Sequence, residues 1–407
     1  MPEKKYNPLL LVVIYGDIAL YGFVSSMRGV TFPLIKNGFG ASYYEQGLMT
    51  ALISFVAVCF CVIPGMFMSR FGLKKTIASG FIVMSLGMAS LYLASSFWMA
   101  AALLLILQAG FGFFEIGLNG MGVRIFTVRS GLMLNFLHFF FGFGAIGGPR
   151  LAGFLINKLG LSWQHVYPIA LIPVFILFAV SMIAQFPGKM KNEEAVSNQP
   201  EARKTETAPD QISIFRALKE PMVWIFGLIM GFVCSIEACS ISWSGLYLQD
   251  VFGLDPATTG AAFVSAFFLL YSLSRLFGGF FIEKIGYVKV TIAASFITTI
   301  LLLASFCLGR PGIYLLPVSG IFIALPYPTI LAVSIGVFKE KAQAMSPAII
   351  SIAFVLNGLA QFGFGISNRF IGAAWAYRSC VLYGIVLIIL SLKLRSMMKN
   401  LKTAVAH

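Results

Sequence analysis

Charge is scarce in this chain. Only 11% of its 407 residues are Asp, Glu, Lys or Arg. A soluble globular chain carries about 25%, so an ordinary water-soluble domain is excluded. Histidine is nearly missing: His138, His165 and His407 are scattered, and no metal-ligand or histidine-based catalytic pattern is spelled out. The six cysteines (Cys59, Cys61, Cys234, Cys239, Cys307, Cys380) all sit in apolar runs. Cys234 and Cys239 are five apart, which is not a CxxC redox or metal spacing, and all six read as small core residues. Neither a nucleophile elbow nor a phosphate-binding loop is present, which argues against an enzyme. Long polar stretches are lacking too, with one exception between Pro187 and Glu220. No extramembrane domain is therefore expected, and with none to pass on a signal, a receptor is disfavoured.

What is abundant is apolar. Hydrophobic residues make up 59%, with forty Phe and forty Gly, and the mean hydropathy is +0.90. Small residues let helix backbones approach one another in lipid. Met1 to Asn7 reads as a polar stub rather than a cleavable signal, because the run after it is long enough to span. Runs of roughly 20 apolar residues begin near 8, 46, 76, 98, 132, 166, 221, 257, 288, 311, 343 and 372.

The net charge of +14 raises the question of nucleic acid, but its distribution answers otherwise. With twelve spans and the N-terminus inside, 21 of the 29 Lys and Arg fall on the cytoplasmic side and five on the outer side. That is a strong positive-inside bias. The charge is topological, and the expected partners are the lipid bilayer and a small-molecule substrate, with no nucleic acid.

The chain also repeats itself. Gly65-Met-Phe-Met-Ser-Arg70-Phe-Gly72-Leu-Lys74-Lys75 returns 214 residues later as Gly279-Phe-Phe-Ile-Glu283-Lys284-Ile-Gly286-Tyr-Val-Lys289. Each copy is a short basic loop between two apolar helices, which implies two similar halves. The expected division is an N-terminal six-helix bundle over 1–186, a cytoplasmic linker over 187–220 and a C-terminal six-helix bundle over 221–407. The linker is too polar to bury a core, although Ser213 to Lys219 can form a short surface helix. Pro326 and Pro328 are expected to kink or open the tenth span, and the Gly142–Pro149 stretch the fifth.

Only three of fifteen acidic residues lie deep in apolar runs: Asp17, Glu115 and Glu237. Such a group must face a wet cavity, pair with a base or carry a proton, and a buried group that can take up and release a proton is what coupled transport requires. Gln108, Gly112, Glu115, Asn119 and Gly122 fall at i, i+4, i+7, i+11 and i+14, one stripe of a helix. They read either as a hydrogen-bonded packing seam or as the wall of a substrate or proton site with space opened by the glycines. Asp17, Tyr21, Ser25 and Arg28 share a face of the first span, where Arg28 could also be a snorkelling anchor. The seventh span carries Glu237, four serines (Ser235, Ser240, Ser242, Ser244), Trp243 and Tyr247. Carboxylates, amides and rings of this kind suit a neutral polyhydroxylated solute, while Trp243 and Tyr247 would equally suit an interfacial belt. Asn135 and His138 in the fifth span, and Asn357 and Gln361 in the eleventh, fit the same cavity, although His138 reads first as a satisfied core histidine and only second as a proton relay. Arg150 and Arg275 could hold an anion, bridge helices or anchor near a membrane face.

Mid-span charges and amides occupy spans one, four, five, seven, eight and eleven, while spans three, six, nine and twelve have none away from their ends. That pattern implies a ring of lining helices with four lipid-facing ones outside.

This exemption, the six-plus-six layout and the repeated loop together resemble the major facilitator superfamily over essentially the whole chain. Gly65, Arg70, Gly72, Lys74 and Lys75 match its loop signature, with Ser69 at the place of the acid. Glu283, Lys284 and Gly286 match in the second copy. The resemblance implies an all-α membrane fold of two pseudo-symmetric six-helix bundles around a central cavity, with these loops as gating elements. Within the superfamily, Gly112-Phe-Phe-Glu115, Ile236-Glu237 and Ser274-Arg275-Leu-Phe-Gly278 resemble the fucose–galactose–glucose:proton symporter group. That likeness implies a proton-coupling role for Glu115, shared with Asp17 or Glu237. Fucose-type members carry an acid late in the first span, where this chain has Met27-Arg28-Gly29. Gly144, Gly148-Pro149 and Gly153 resemble instead the glycine–proline motif of proton-driven drug antiporters. The expected protein is a monomer in a bacterial cell membrane with both termini cytoplasmic. It would move a small polar solute, a sugar first, with the proton as coupling ion and no other cofactor. Export of a drug-like or cationic compound and organic anion exchange through Arg28 and Arg150 stay open.

Overall fold

The structure, a computed structural model, describes residues 8–60, 62–125, 130–186 and 214–405. Most of the expected linker lies outside these. Of its surface helix, Ile214–Ala217 is seen.

In hydrocarbon every backbone polar group must find its partner within the chain, which leaves helices as the solution for an apolar run of this length. Twelve helices among the described residues are long and apolar enough to cross a membrane: Pro8–Gly38, Tyr43–Phe71, Leu73–Leu93, Phe97–Gly122, Phe136–Asn157, Trp163–Ile183, Pro221–Ser242, Pro256–Ile285, Tyr287–Leu308, Pro311–Phe338, Met345–Arg378 and Cys380–Lys399. Local signals set their ends. Ser42 caps the second span through a reciprocal box with Glu45. Pro221 and Pro311 sit in first turns, where a missing N–H costs nothing. Gly72 and Gly286 join neighbouring spans at φ +85° and +98°, a region glycine enters without strain. The repeat in sequence is thus also a repeat in backbone conformation.

Breaks in the spans agree with the sequence reading in the tenth and differ from it in the fifth and at the start of the twelfth. The tenth span is interrupted, with helix ending at Ile323 and resuming at Pro326, as the prolines imply. The fifth runs as one helix through Pro149, so its glycines do not open it. They let it touch the first span: a Cβ at Gly144 would lie 1.8 Å from the Ala19 carbonyl oxygen, and one at Gly148 2.0 Å from that of Phe23. Gly144→Leu is therefore expected to force the two helices apart and cost about 3 kcal/mol or more, read as a lowered thermal midpoint of the purified protein. The twelfth span begins at Cys380 rather than near 372, because the helix of the eleventh span continues past a kink at Gly372 (φ +77°) to Arg378, with its C-cap at Ser379.

The buried apolar residues form two cores. One is built chiefly from the first six spans and the other chiefly from the last six. Between the lobes, the second span packs on the eleventh and the fifth on the eighth. Gly47 meets Gly365, and Ser265 donates to the Ile146 carbonyl at 2.8 Å. Spans three, six, nine and twelve turn large apolar side chains outward, among them Ile82, Ile176, Phe296 and Ile389.

The two ends of the bundle differ. At the end bearing the turn between spans one and two, the lobes are joined. Asn37 donates to Gln249 at 2.8 Å, Tyr43 hydrogen-bonds Asp250, and the Lys36 ammonium lies 4.1 Å from the centre of the Tyr43 ring. Gly245 lies against Pro33 and the Gly29 carbonyl. At the other end the two repeated basic loops are exposed: Arg70, Lys74, Lys75, Glu283 and Lys284 all face outward. Lys74 donates to the Met182 carbonyl at 2.6 Å within its own lobe.

Candidate functional site: a central polar cavity

Between the lobes lies a cavity of about 520 Å³, within the range of small-molecule sites. The stripe on the fourth span supplies one wall, with Gln108, Gly112, Glu115 and Asn119 all lining it. Gly112 opens less space than expected. It admits Phe60 of the second span, whose Cβ would lie 2.4 Å from an added Cβ. The first span adds Tyr21 and Arg28, the seventh Glu237 and Ser242, the eleventh Asn357. No lining residue comes from spans three, six, nine or twelve.

The two carboxylates differ in their company. Tyr21 hydrogen-bonds Glu115, and no cationic side chain acts on Glu115 among the described residues. Glu237 belongs to a charged chain. The Tyr271 hydroxyl donates to its carboxylate at 2.9 Å, Arg275 hydrogen-bonds that hydroxyl, and the guanidinium lies 4.4 Å from the centre of the Tyr271 ring. Arg28, whose Nε donates to the Ser25 carbonyl at 2.7 Å, attracts Glu237 from the opposite lobe. Two guanidiniums thus act on Glu237 through space, whereas the partner of Glu115 is a phenol.

Several expected liners lie elsewhere. Asp17 is fully buried and accepts from the Ser181 hydroxyl at 2.9 and 3.2 Å. It joins the first span to the sixth, outside the cavity. Trp243 lies behind the cavity wall, donating to Gln361 at 2.6 Å. Gln361 in turn donates to Asn357 at 3.3 Å, and Asn357 to Ser54 of the other lobe at 3.2 Å. Tyr247 is buried and stacks on Tyr377 at 4.3 Å, so it is neither a liner nor an interfacial anchor. His138 lies beside Arg275 rather than in the lining. Arg150 is exposed. The Asn135 side chain lies outside the described residues.

The structure also brings in residues that sequence reasoning passed over. Ser54 and Tyr327 line the cavity. Gln46, Thr50 and Ser54, at i, i+4 and i+8, form a polar stripe on the second span, a periodicity that was there to be read. Gln46 is fully buried, and neither atom of its amide meets a partner among the described residues.

With this geometry in hand, comparison with known proteins decides the family. The model of the Major Facilitator Superfamily matches residues 18–365. The chain belongs to this superfamily. An uncharacterized MFS-type transporter of Yersinia pestis is 21% identical over 273 residues, a stretch covering 66% of this chain and 65% of that relative. Among solved structures, the D-xylose-proton symporter matches with TM-score 0.76 at 13% identity, covering 95% of this chain and 97% of that one. A bacterial homolog of the human lysosomal transporter Spinster, inward-facing and unoccupied, matches with TM-score 0.74 at 16% identity, covering 96% of each chain. FucP, in the outward conformation, matches with TM-score 0.63 at 19% identity, covering 94% and 97%. At these identities the likeness to solved structures establishes the fold alone, the all-helical architecture; superfamily membership rests on the family match, and the twelve long apolar helices make this an integral membrane protein.

Proposed function

We propose that the protein is a proton-coupled symporter of a small polar solute, a sugar being the first candidate. The observation that carries this reading is the unequal setting of the two cavity carboxylates. Glu237, between Arg28 and Arg275, keeps its charge compensated in every step and can accept hydrogen bonds from solute hydroxyls together with Asn357, Gln108 and Asn119. Glu115 has no compensating cation among the described residues, so binding a proton there removes a lone charge from the cavity. Solute and proton bound together leave a cavity that can be carried between the two faces as the lobes rock. The likeness to a fucose and a xylose symporter supports the choice of solute class.

With the basic loops at the cytoplasm, as the positive-inside bias directs, the joined end faces outward and the cavity serves the cytoplasmic side. Both termini are then cytoplasmic, and a bacterial inner membrane is the natural setting. Asp17 has no part in this cycle. Asp17→Asn keeps an acceptor for Ser181 and is expected to leave proton-driven uptake at the parental level, measured in proteoliposomes.

The test of the whole reading is the external pH of lightly buffered proteoliposomes as sugars, amino acids, organic acids and cationic dyes are added. Alkalinisation with one sugar is the expected result. The same uncompensated Glu115 could instead hold a cationic solute in exchange for protons, and proton release from acid-loaded vesicles on adding a cationic dye would replace symport with antiport. Arg150, facing away from the cavity, leaves organic anion exchange with Arg28 alone of its two expected cations.

A further inference from the structure

The repeat predicts that the two lobes should look alike where their basic loops meet the membrane, yet they do not. In the N-terminal lobe, Lys74 reaches across to the end of the sixth span, donating to the carbonyls of Met182 at 2.6 Å and Ala184 at 3.4 Å. These carbonyls are free because the helix stops at Ile183. The position 214 residues on is Val288, which has no charge to offer. The twelfth span also has no carbonyl to spare there, because its helix runs on to Val405. The gap stays open as a cavity of about 780 Å³ between spans nine, ten and twelve. Around it stand Lys289, Arg395 and Lys399, above apolar walls of Val288, Val333 and Val337. The charged residues lining this mouth are all basic, which makes it a surface that attracts anions.

A second feature says what kind of anion. The cavity shares Ile285 with a groove of about 470 Å³ that runs toward the middle of the bundle between spans eight, nine and ten. Its walls are Phe277, Phe281, Ala293, Ile297 and Leu325. Phe277 and Phe281 are 60% and 53% exposed on the lipid side. A basic pocket at the membrane surface leading into an apolar channel along the helices matches a charged headgroup with an acyl chain beneath it.

We propose that the C-terminal lobe binds one anionic phospholipid here. Its phosphodiester lies among Lys289, Arg395 and Lys399, and one acyl chain lies in the Phe281–Ile297 groove. The headgroup takes the place that Lys74 fills in the other lobe, and it touches Gly286, the hinge between spans eight and nine. The inference does not depend on which solute is carried.

The test is native mass spectrometry of the purified full-length protein with phosphatidylglycerol or phosphatidylcholine added. Phosphatidylglycerol is expected to be retained about tenfold better. Lys289→Gln/Arg395→Gln/Lys399→Gln should remove that preference. All three positions are exposed, so the fold should survive, checked by an unchanged thermal midpoint in phosphatidylcholine. Ala293→Trp, which fills the groove, and Phe281→Ala, which removes its wall, should each weaken retention severalfold. Equal retention of both lipids, or full retention by the triple variant, overturns the proposal. So does competition by glycerophosphate with no effect of either groove variant, which would mark a site for a soluble anion instead.

Discussion

Glu115→Gln should abolish uphill transport while leaving the carrier able to exchange solute. The amide keeps the size of the carboxyl and an acceptor for the Tyr21 hydroxyl, so neither the fourth span nor the cavity wall need change. What it loses is the ability to bind and release a proton. Moving one charge through 100 mV is worth about 2.3 kcal/mol, which would support roughly 50-fold accumulation of solute at 1.4 kcal/mol per tenfold. In Glu115→Gln that ratio should fall to about one, while counterflow of radiolabelled solute with no gradient persists. Retained accumulation would remove Glu115 from the proton path and leave Glu237 as the remaining cavity acid.

The second large effect concerns the joined end. Gly47 and Gly365 let spans two and eleven touch backbone to backbone, and a Cβ at Gly47 would lie 2.7 Å from the Gly365 Cα. Unlike Gly144, Gly47 makes this contact between the lobes, so a larger side chain there should wedge the lobes apart without dismantling either core. Gly47→Leu is expected to favour the state open at the turn end, with binding kept and turnover lost. Spin labels on the Asn37 and Gln249 positions, now hydrogen-bonded at 2.8 Å, would report the separation directly. A parental distance distribution together with parental transport would show that the seam can absorb the extra bulk.

The fold was legible at long range because its cause is long range. Apolar runs of spanning length, the excess of Lys and Arg on one side and the 214-residue repeat are all written as regular patterns. The Glu115 stripe was legible for the same reason: four of its members share one helix face and line the cavity. Asp17 was misplaced because a lone carboxylate in an apolar run looks alike whether it faces water or a serine on another helix. Ser181 is 164 residues away, and no local pattern announces it. Trp243 and Gln361 stand one layer behind the wall, since depth along a helix can be counted from sequence but distance from the lobe interface cannot. Ser54 escaped notice because a hydroxyl by itself barely interrupts an apolar run and shows only when its spacing from Gln46 and Thr50 is counted, although in the fold it receives Asn357 from the other lobe.

Gln46 bears on how deep a resting state this carrier can afford. With its amide buried beside the Gly47 contact and without a partner among the described residues, the joined arrangement is raised by about 1–3 kcal/mol relative to one that lets the amide be hydrated. An exchanger whose two wells were very unequal would idle in the lower one. A built-in penalty on one side keeps them within thermal reach of each other, so the flatness of the landscape is written into a residue that touches neither solute nor proton.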